Sequence, residues 1–333
     1  MDAVAGLLDG VRARGAFVLR MRLDPPWSMS VRDEAPLTVI CQTHGRAALV
    51  TADGRTVWLD AGDLALTRGT EPYVYADDPR TPPMIVIHPG QRCTTVAGDD
   101  LRFEMSLGVR TWGTSDAGSC RSVIGAYEGH SAVGARLLDA LPAVAVLRAD
   151  EWDTPLVDLL SDEAGRDGPG QEAYLDRLLD LLLIAAVRAW FDRADAAPTW
   201  WHAEQDALVG PTLKLMYHNP AHPWTVASLA AAVGCSRAAF ARRFADLVGE
   251  PPIAFLTGWR LALAADLLRS GATVAAVARQ VGYGSPFALS TAFKRVHGVS
   301  PHAHQRLIRR ESSSRGSRRE PVAAEQFWRP AGR

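Results

Sequence analysis

The sequence predicts a multidomain α+β chain: a β-rich N-terminal part, a helical middle region, and an all-α C-terminal third with two helix-turn-helix units. Three observations predict it. Short alternating apolar segments fill residues 1–130, the apolar period lengthens to that of a helix after Ser131, and one helix-turn-helix pattern occurs twice after Asp206. The expected divisions are 1–130, 131–205, 206–310 and a Ser/Arg/Gly/Pro-rich tail over 311–333, expected to be disordered.

The candidate strands are Phe17–Arg22, Leu37–Thr43, Arg46–Thr51, Arg55–Leu59, Asp63–Thr67, Met84–His88 and Ser122–Tyr127. Asp53-Gly54 lies between two of them and marks a tight hairpin, because glycine accepts positive φ. Many short strands punctuated by Gly, Pro and Asp predict a small barrel or sandwich.

In the middle region, Gln171–Asp192 is the strongest helix. Leu175, Leu178, Leu179, Leu182, Ala186 and Trp190 form one broad stripe, which Leu181, Ile184 and Val187 extend around the helix. A helix apolar on so much of its surface needs two partners. A second subunit is slightly favoured over a partner within the chain, so a homodimer is expected.

The 333 residues are 47% hydrophobic and 22% charged, which suits an ordinary globular chain with more than one core. No apolar run follows a basic start, so no secretory signal is expected. The longest apolar stretch, Leu178–Val187, contains Asp180 and is too short to cross a bilayer. Four irregularly spaced cysteines fit neither a disulfide framework nor a zinc pattern. Together these predict a cytoplasmic protein with reduced thiols and no membrane association.

The repeat carries most of the functional information. Val226-Ala-Ser-Leu-Ala-Ala-Ala-Val-Gly234 matches Val274-Ala-Ala-Val-Ala-Arg-Gln-Val-Gly282, and Ser236, Phe240, Phe244 and Gly249 match Ser285, Leu289, Phe293 and Gly298. Ala230 and Ala278 are small enough for close helix packing. Gly234 and Gly282 end the first helix of each unit, Ser236 and Ser285 cap the second, and Pro286 suits a first helical position. The apolar i,i+4 pairs face a core.

Charge points to the partner. Residues 206–310 hold twelve Lys/Arg against four Asp/Glu, a net +8, whereas the remainder holds 24 basic and 33 acidic residues, a net −9. A basic double helix-turn-helix predicts double-stranded DNA as the partner, with the second helix of each unit in a major groove. The bland alternative, a helical protein–protein module, explains the charge less well. With Phe240 and Phe244 inward, Arg237, Ala238, Ala241, Arg242 and Arg243 form the outward set. Arg242 is the candidate reader of guanine O6 and N7, and the two alanines suit thymine methyls. In the second unit Ser285, Pro286, Phe287, Ser290 and Thr291 form a neutral face, predicting shape and methyl readout, and Lys294 and Arg295 suit phosphates.

At this point three segments resemble the AraC/XylS transcriptional regulators: Ser236–Phe244, Gly249-Glu-Pro-Pro-Ile-Ala-Phe-Leu-Thr-Gly-Trp-Arg-Leu261, and Gly282–Pro301. The resemblance implies two helix-turn-helix units joined by one long helix near Pro252–Leu268, reaching successive grooves ~34 Å apart. Arginine often stands in that family where this chain has Thr291. Gly62-Asp-Leu-Ala-Leu-Thr67, Ala76-Asp-Asp-Pro79, Leu137-Leu-Asp-Ala-Leu-Pro142 and Leu175–Trp190 resemble the cupin-type sensor domain of one subgroup. That implies a transcription regulator controlled by a small effector or redox signal, with RNA polymerase as a further partner.

Other chemistry is weaker. His44 and His88 are the histidines in predicted strands, with no His-x-His pair, so no metal and no cofactor are expected. Trp58, Tyr73, Tyr75 and Met84 are candidate effector-lining residues, with ordinary core as the plainer reading. Cys93 and Cys120 are redox candidates, because nearby Arg92 and Arg121 would lower a thiol pKa; small buried packing residues are the preferred reading, as for Cys41 and Cys235. No catalytic spacing is present, so no enzyme is expected; the alternative is a cupin-type metal-dependent enzyme with accessory DNA binding.

Overall fold

A computed structural model describes residues 17–127, 131–152, 154–193 and 197–308. The expected tail, 311–333, lies outside the described residues. The described residues of Arg12–Gly129 and Leu141–Trp190 form one compact unit, and those of His130–Ala140 and Phe191–Ser317 form another. The middle region predicted over 131–205 is therefore divided between the two.

The β-rich unit contains two sheets. One has the order β10 (Ser106–Gly108), β11 (Thr111–Gly113), β1 (Phe17–Leu23), β12 (Cys120–Tyr127), β3 (Leu37–His44), β6 (Leu64–Arg68) and β13 (Val144–Leu147). The other has β5 (Thr56–Leu59), β4 (Ala47–Val50), β7 (Tyr73–Ala76), β2 (Ser28–Val31), β8 (Ile85–His88) and β9 (Arg92–Thr95). Met21, Leu23, Ile40 and Ala65 from the first sheet and Met29, Leu49, Leu59 and Tyr75 from the second bury into one core. The β4–β5 hairpin turns at Gly54, whose φ of 83° is the left-handed value that the Asp-Gly pair predicts.

All seven predicted strands are present. The strands that alternation did not reveal are short or mixed in polarity. Ser28-Met-Ser-Val31 is buried on all four residues although two are serines. Val144–Leu147 corrects the helical reading of its region: it pairs antiparallel with Leu64–Thr67. A four-residue apolar run carries no period that separates strand from helix, and an available sheet edge decides.

Two helices complete this unit, α2 (Leu156–Ala164) and α3 (Gln171–Phe191), the last residue of which belongs to the helical unit. They follow α1 (Ala132–Leu138), which belongs to the helical unit. Leu179 of α3 sits directly over Gly125 of β12, where a Cβ would come within 2.4 Å of its Cδ1, and the Tyr127 hydroxyl donates to the Leu179 carbonyl at 3.0 Å. The missing side chain at Gly125 leaves the space that the Leu179 methyls fill. The opposite side of α3 stays uncovered, with Tyr174 52% and Leu181 50% exposed.

The helical unit continues through α4 (Thr199–Ala203), α5 (Val209–His218), α6 (Val226–Ala232), α7 (Arg237–Val248), α8 (Pro252–Arg269), α9 (Val274–Gln280) and α10 (Pro286–His297). It contains two cores that share α8. Phe255 and Leu256 join Leu229, Ala230, Phe240 and Phe244 in the first, and Leu261, Ala264, Ala265 and Leu268 join Val277, Ala278, Leu289 and Phe293 in the second. Helix α1 docks on α8: the Ser131 hydroxyl donates to Asp266 at 2.7 Å and the Ala132 amide donates to the same carboxylate at 2.8 Å.

Candidate nucleic-acid interface

The repeat folds as two matched helix pairs, α6–α7 and α9–α10. Thr225 and Thr273 cap the first helix of each pair, accepting from the Ser228 and Ala276 amides at 3.0 and 3.3 Å. Ser236 and Ser285 cap the second helices, accepting from the Ala239 and Ala288 amides at 3.2 and 3.1 Å. Those oxygens satisfy donors that a helix start otherwise leaves unpaired. The turns pass through Gly234 and Gly282 at φ of 67° and 79°, and α7 and α10 end on Gly249 and Gly298 at 85° and 74°. Gly282 is doubly required, because a Cβ there would meet the Ala221 carbonyl oxygen at 2.5 Å.

This register fixes what each second helix shows. In α7, Phe240 and Phe244 are fully buried, while Arg237, Ala238, Arg242 and Arg243 are exposed and Ala241 is half-buried. The Arg243 guanidinium donates to Asp206 through Nε at 3.0 Å and Nη2 at 2.6 Å, so this arginine is held by a carboxylate. Arg242 is the exposed guanidinium opposite the buried pair, one turn beyond Ala238. In α10, Leu289 and Phe293 are fully buried; Pro286, Phe287, Thr291, Lys294 and Arg295 are exposed; Ser285 and Ser290 are half-buried. Ala288 is also exposed, a face residue the sequence reading passed over although it stands three before Thr291. The capped serines, the buried pairs and the exposed face occupy the same places in both units.

Comparison with known proteins places this geometry. A Cupin domain matches residues 2–192 and a Helix-turn-helix domain matches residues 229–307. An AraC-like transcription regulator of Streptomyces lividans is 30% identical over 90% of this chain and 97% of its own length. The chain belongs to the AraC-like transcription regulators. A Streptomyces antibioticus member of this AraC-like group is 39% identical over 50% of this chain, which spans little more than half (56%) of that relative. AlkR of Acinetobacter baylyi is 28% identical over 90% of this chain and 98% of its own. The crystallised DNA-binding domain of AdpA, in complex with a target DNA, is 34% identical over 32% of this chain and 96% of that domain, with a TM-score of 0.30.

The effector candidates of this AraC-like chain stand in different surroundings. Tyr75 is in the core, its hydroxyl donating to Gln42 at 2.6 Å and lying 2.8 Å from Ser122. Tyr73 packs partly buried against that core, and burial raises its phenol pKa. Met84 is 48% exposed. Trp58 lines an open cleft of about 730 Å³ with Arg46, Arg55, Asp60, Asp63 and Arg148, and the Arg46 guanidinium lies 4.2 Å over its ring.

Of the redox candidates, Cys120 is buried and Cys93 half-buried. Burial, and then the charge of Asp100, push the Cys93 thiol up to about 12, outweighing Arg102. Burial raises Cys120 too, against a hydrogen bond from Gln42 Nε2 at 3.2 Å that lowers it. Cys41, fully enclosed, is likewise pushed up to about 12. Adjacent arginines in sequence do not make a thiolate when the thiol itself is desolvated. Of the strand histidines, His44 is exposed and His88 Nε2 lies 3.0 Å from Thr94 Oγ1. Among the described residues, no three His, Cys, Asp or Glu side chains gather where they could hold a metal ion.

Proposed function

We propose that the chain is a sequence-specific regulator of transcription that binds double-stranded DNA through α7 and α10, with the β-rich unit receiving a small effector. The observation that carries this reading is the duplicated geometry: two serine-capped helices, each anchored by a buried pair and exposing its opposite face, built on one shared helix. At ~1.5 Å per residue the 18-residue α8 is about 27 Å long, a suitable spacer between adjacent major grooves. The net +8 of residues 206–310 supplies phosphate attraction, and Arg242 supplies the bidentate donor suited to guanine. The raised thiol pKa values favour an effector over a thiolate redox signal. Non-catalytic action, residence in the cytoplasm, contact with RNA polymerase and homodimerisation through the uncovered side of α3 belong to the same reading.

The deciding experiment is selection of bound duplexes from a random pool, followed by affinity measurements on wild type and Arg242→Ala. Wild type selects one motif and binds it more weakly as salt rises. Arg242→Ala loses ~1–3 kcal/mol and relaxes one base position. If wild type selects nothing, the DNA reading is wrong; if the variant keeps both affinity and preference, Arg242 is not the reader.

A further inference from the structure

The two reading helices differ most where their matched register makes them equivalent. Phe240 matches Leu289, so Arg242 matches Thr291 and Ala238 matches Phe287. Unit one therefore presents a guanidinium where unit two presents a hydroxyl and a methyl, and a methyl where unit two presents a phenyl ring.

The hydroxyls of α10 are committed to the helix itself. Ser290 Oγ donates to the Pro286 carbonyl at 2.8 Å, and Thr291 Oγ1 donates to the Phe287 carbonyl at 3.1 Å. With those hydrogens turned back four residues, exposed Thr291 retains its methyl branch as an outward contact. Phe287 stands one turn earlier and is 81% exposed, the most exposed large apolar side chain among the described residues. Ala288 beside it is exposed as well. This apolar strip lies in the first turns of the helix, the part that meets base edges when such a helix enters a major groove. Lys294 and Arg295 follow on the exposed side, where they suit the flanking phosphates. The C5-methyl of a pyrimidine is the apolar feature that the major groove offers such a strip.

We infer that α10 reads pyrimidine C5-methyl groups, with the Phe287 ring and the Thr291 methyl as the reader. This rests on the DNA-binding reading above and gives it a division of labour. Unit one discriminates by hydrogen bonds from a charged group, and unit two discriminates by methyl burial. A methyl reader does not tell thymine from 5-methylcytosine by this contact. The half-site under α10 is therefore thymine-containing, and it accepts 5-methylcytosine in place of a contacted thymine better than it accepts cytosine.

The test uses the full chain and the duplex it selects from a random pool. Each thymine of that duplex is replaced singly by deoxyuridine, which removes the methyl and keeps every hydrogen-bonding group. Wild type should bind about fourfold more weakly for each contacted methyl removed. At the same positions cytosine paired with guanine should weaken binding further, and 5-methylcytosine should recover part of that loss. Phe287→Ala should abolish the deoxyuridine penalty at one position, and Thr291→Ser, which keeps the hydroxyl, should reduce it at the same or an adjacent one. Thermal melts of both variants control for folding.

Wild type that selects a motif but binds every deoxyuridine duplex as tightly as the parent overturns the methyl reading and leaves the DNA reading intact. So does a Phe287→Ala variant that folds and keeps the full penalty at every position. Absence of any selected motif overturns both.

Discussion

His297 and His304 pack around Phe293 in the second core, with ring centroids 4.2 and 5.4 Å from the phenyl. Burial lowers both pKa values, outweighing a hydrogen bond to a backbone group of α8, Leu261 for the first and Ala265 for the second, that raises them. The Nε2 atom of each is buried without a hydrogen-bond partner. The charged groups nearest His304 are Arg269, which lowers it, and Asp266, which raises it; His297 also lowers it. A histidine whose folded pKa is depressed stabilises the fold fully above the ordinary value of 6.5 and loses that contribution as pH falls below it. Amide hydrogen exchange should therefore show α9 and α10 opening more readily as pH drops from 7 toward 5.5, ahead of α6 and α7. His297→Phe with His304→Phe should flatten that dependence; an unchanged pH profile in the double variant would remove these histidines as its cause.

Among elements, α7 and α10 owe their starts to one oxygen each. Ser236→Ala and Ser285→Ala should each cost ~1 kcal/mol, read as a lowered denaturation midpoint at unchanged slope. The glycine turns are less forgiving. Gly282→Ala forces a Cβ against the Ala221 carbonyl at positive φ, and its cost should exceed that of either cap. These elements were legible in the sequence because their signals are local: a serine before an apolar i,i+4 pair, a glycine after one. The short strands were not. Ser28–Val31 and Tyr73–Ala76 pair with each other in antiparallel register, and neither has a period long enough to announce itself.

For the molecule as a whole, the uncovered side of α3 matters. Tyr174 and Leu181 are exposed two turns apart on a helix whose other faces are buried. If they form a subunit contact, light scattering should report a dimer for wild type and a shift toward monomer for Tyr174→Glu with Leu181→Glu, with the helical content of each intact. A wild-type monomer at micromolar concentration would refute the dimer.

The sequence alone determined the twin helix-turn-helix units and their serine caps, which follow from spacing within about a dozen residues and survive without knowledge of any distant contact. Its composition over 206–310 gave the charge that favours DNA, and the long helix between the units was what the AraC/XylS resemblance implied. The tertiary structure decided the rest. It assigned α1 to the helical unit through Asp266, placed Val144–Leu147 on a sheet edge, tied Arg243 to Asp206, and set Cys120 in the core and Cys93 against it. Those outcomes depend on which groups approach from far along the chain and on how much water each keeps. Periodicity carries neither.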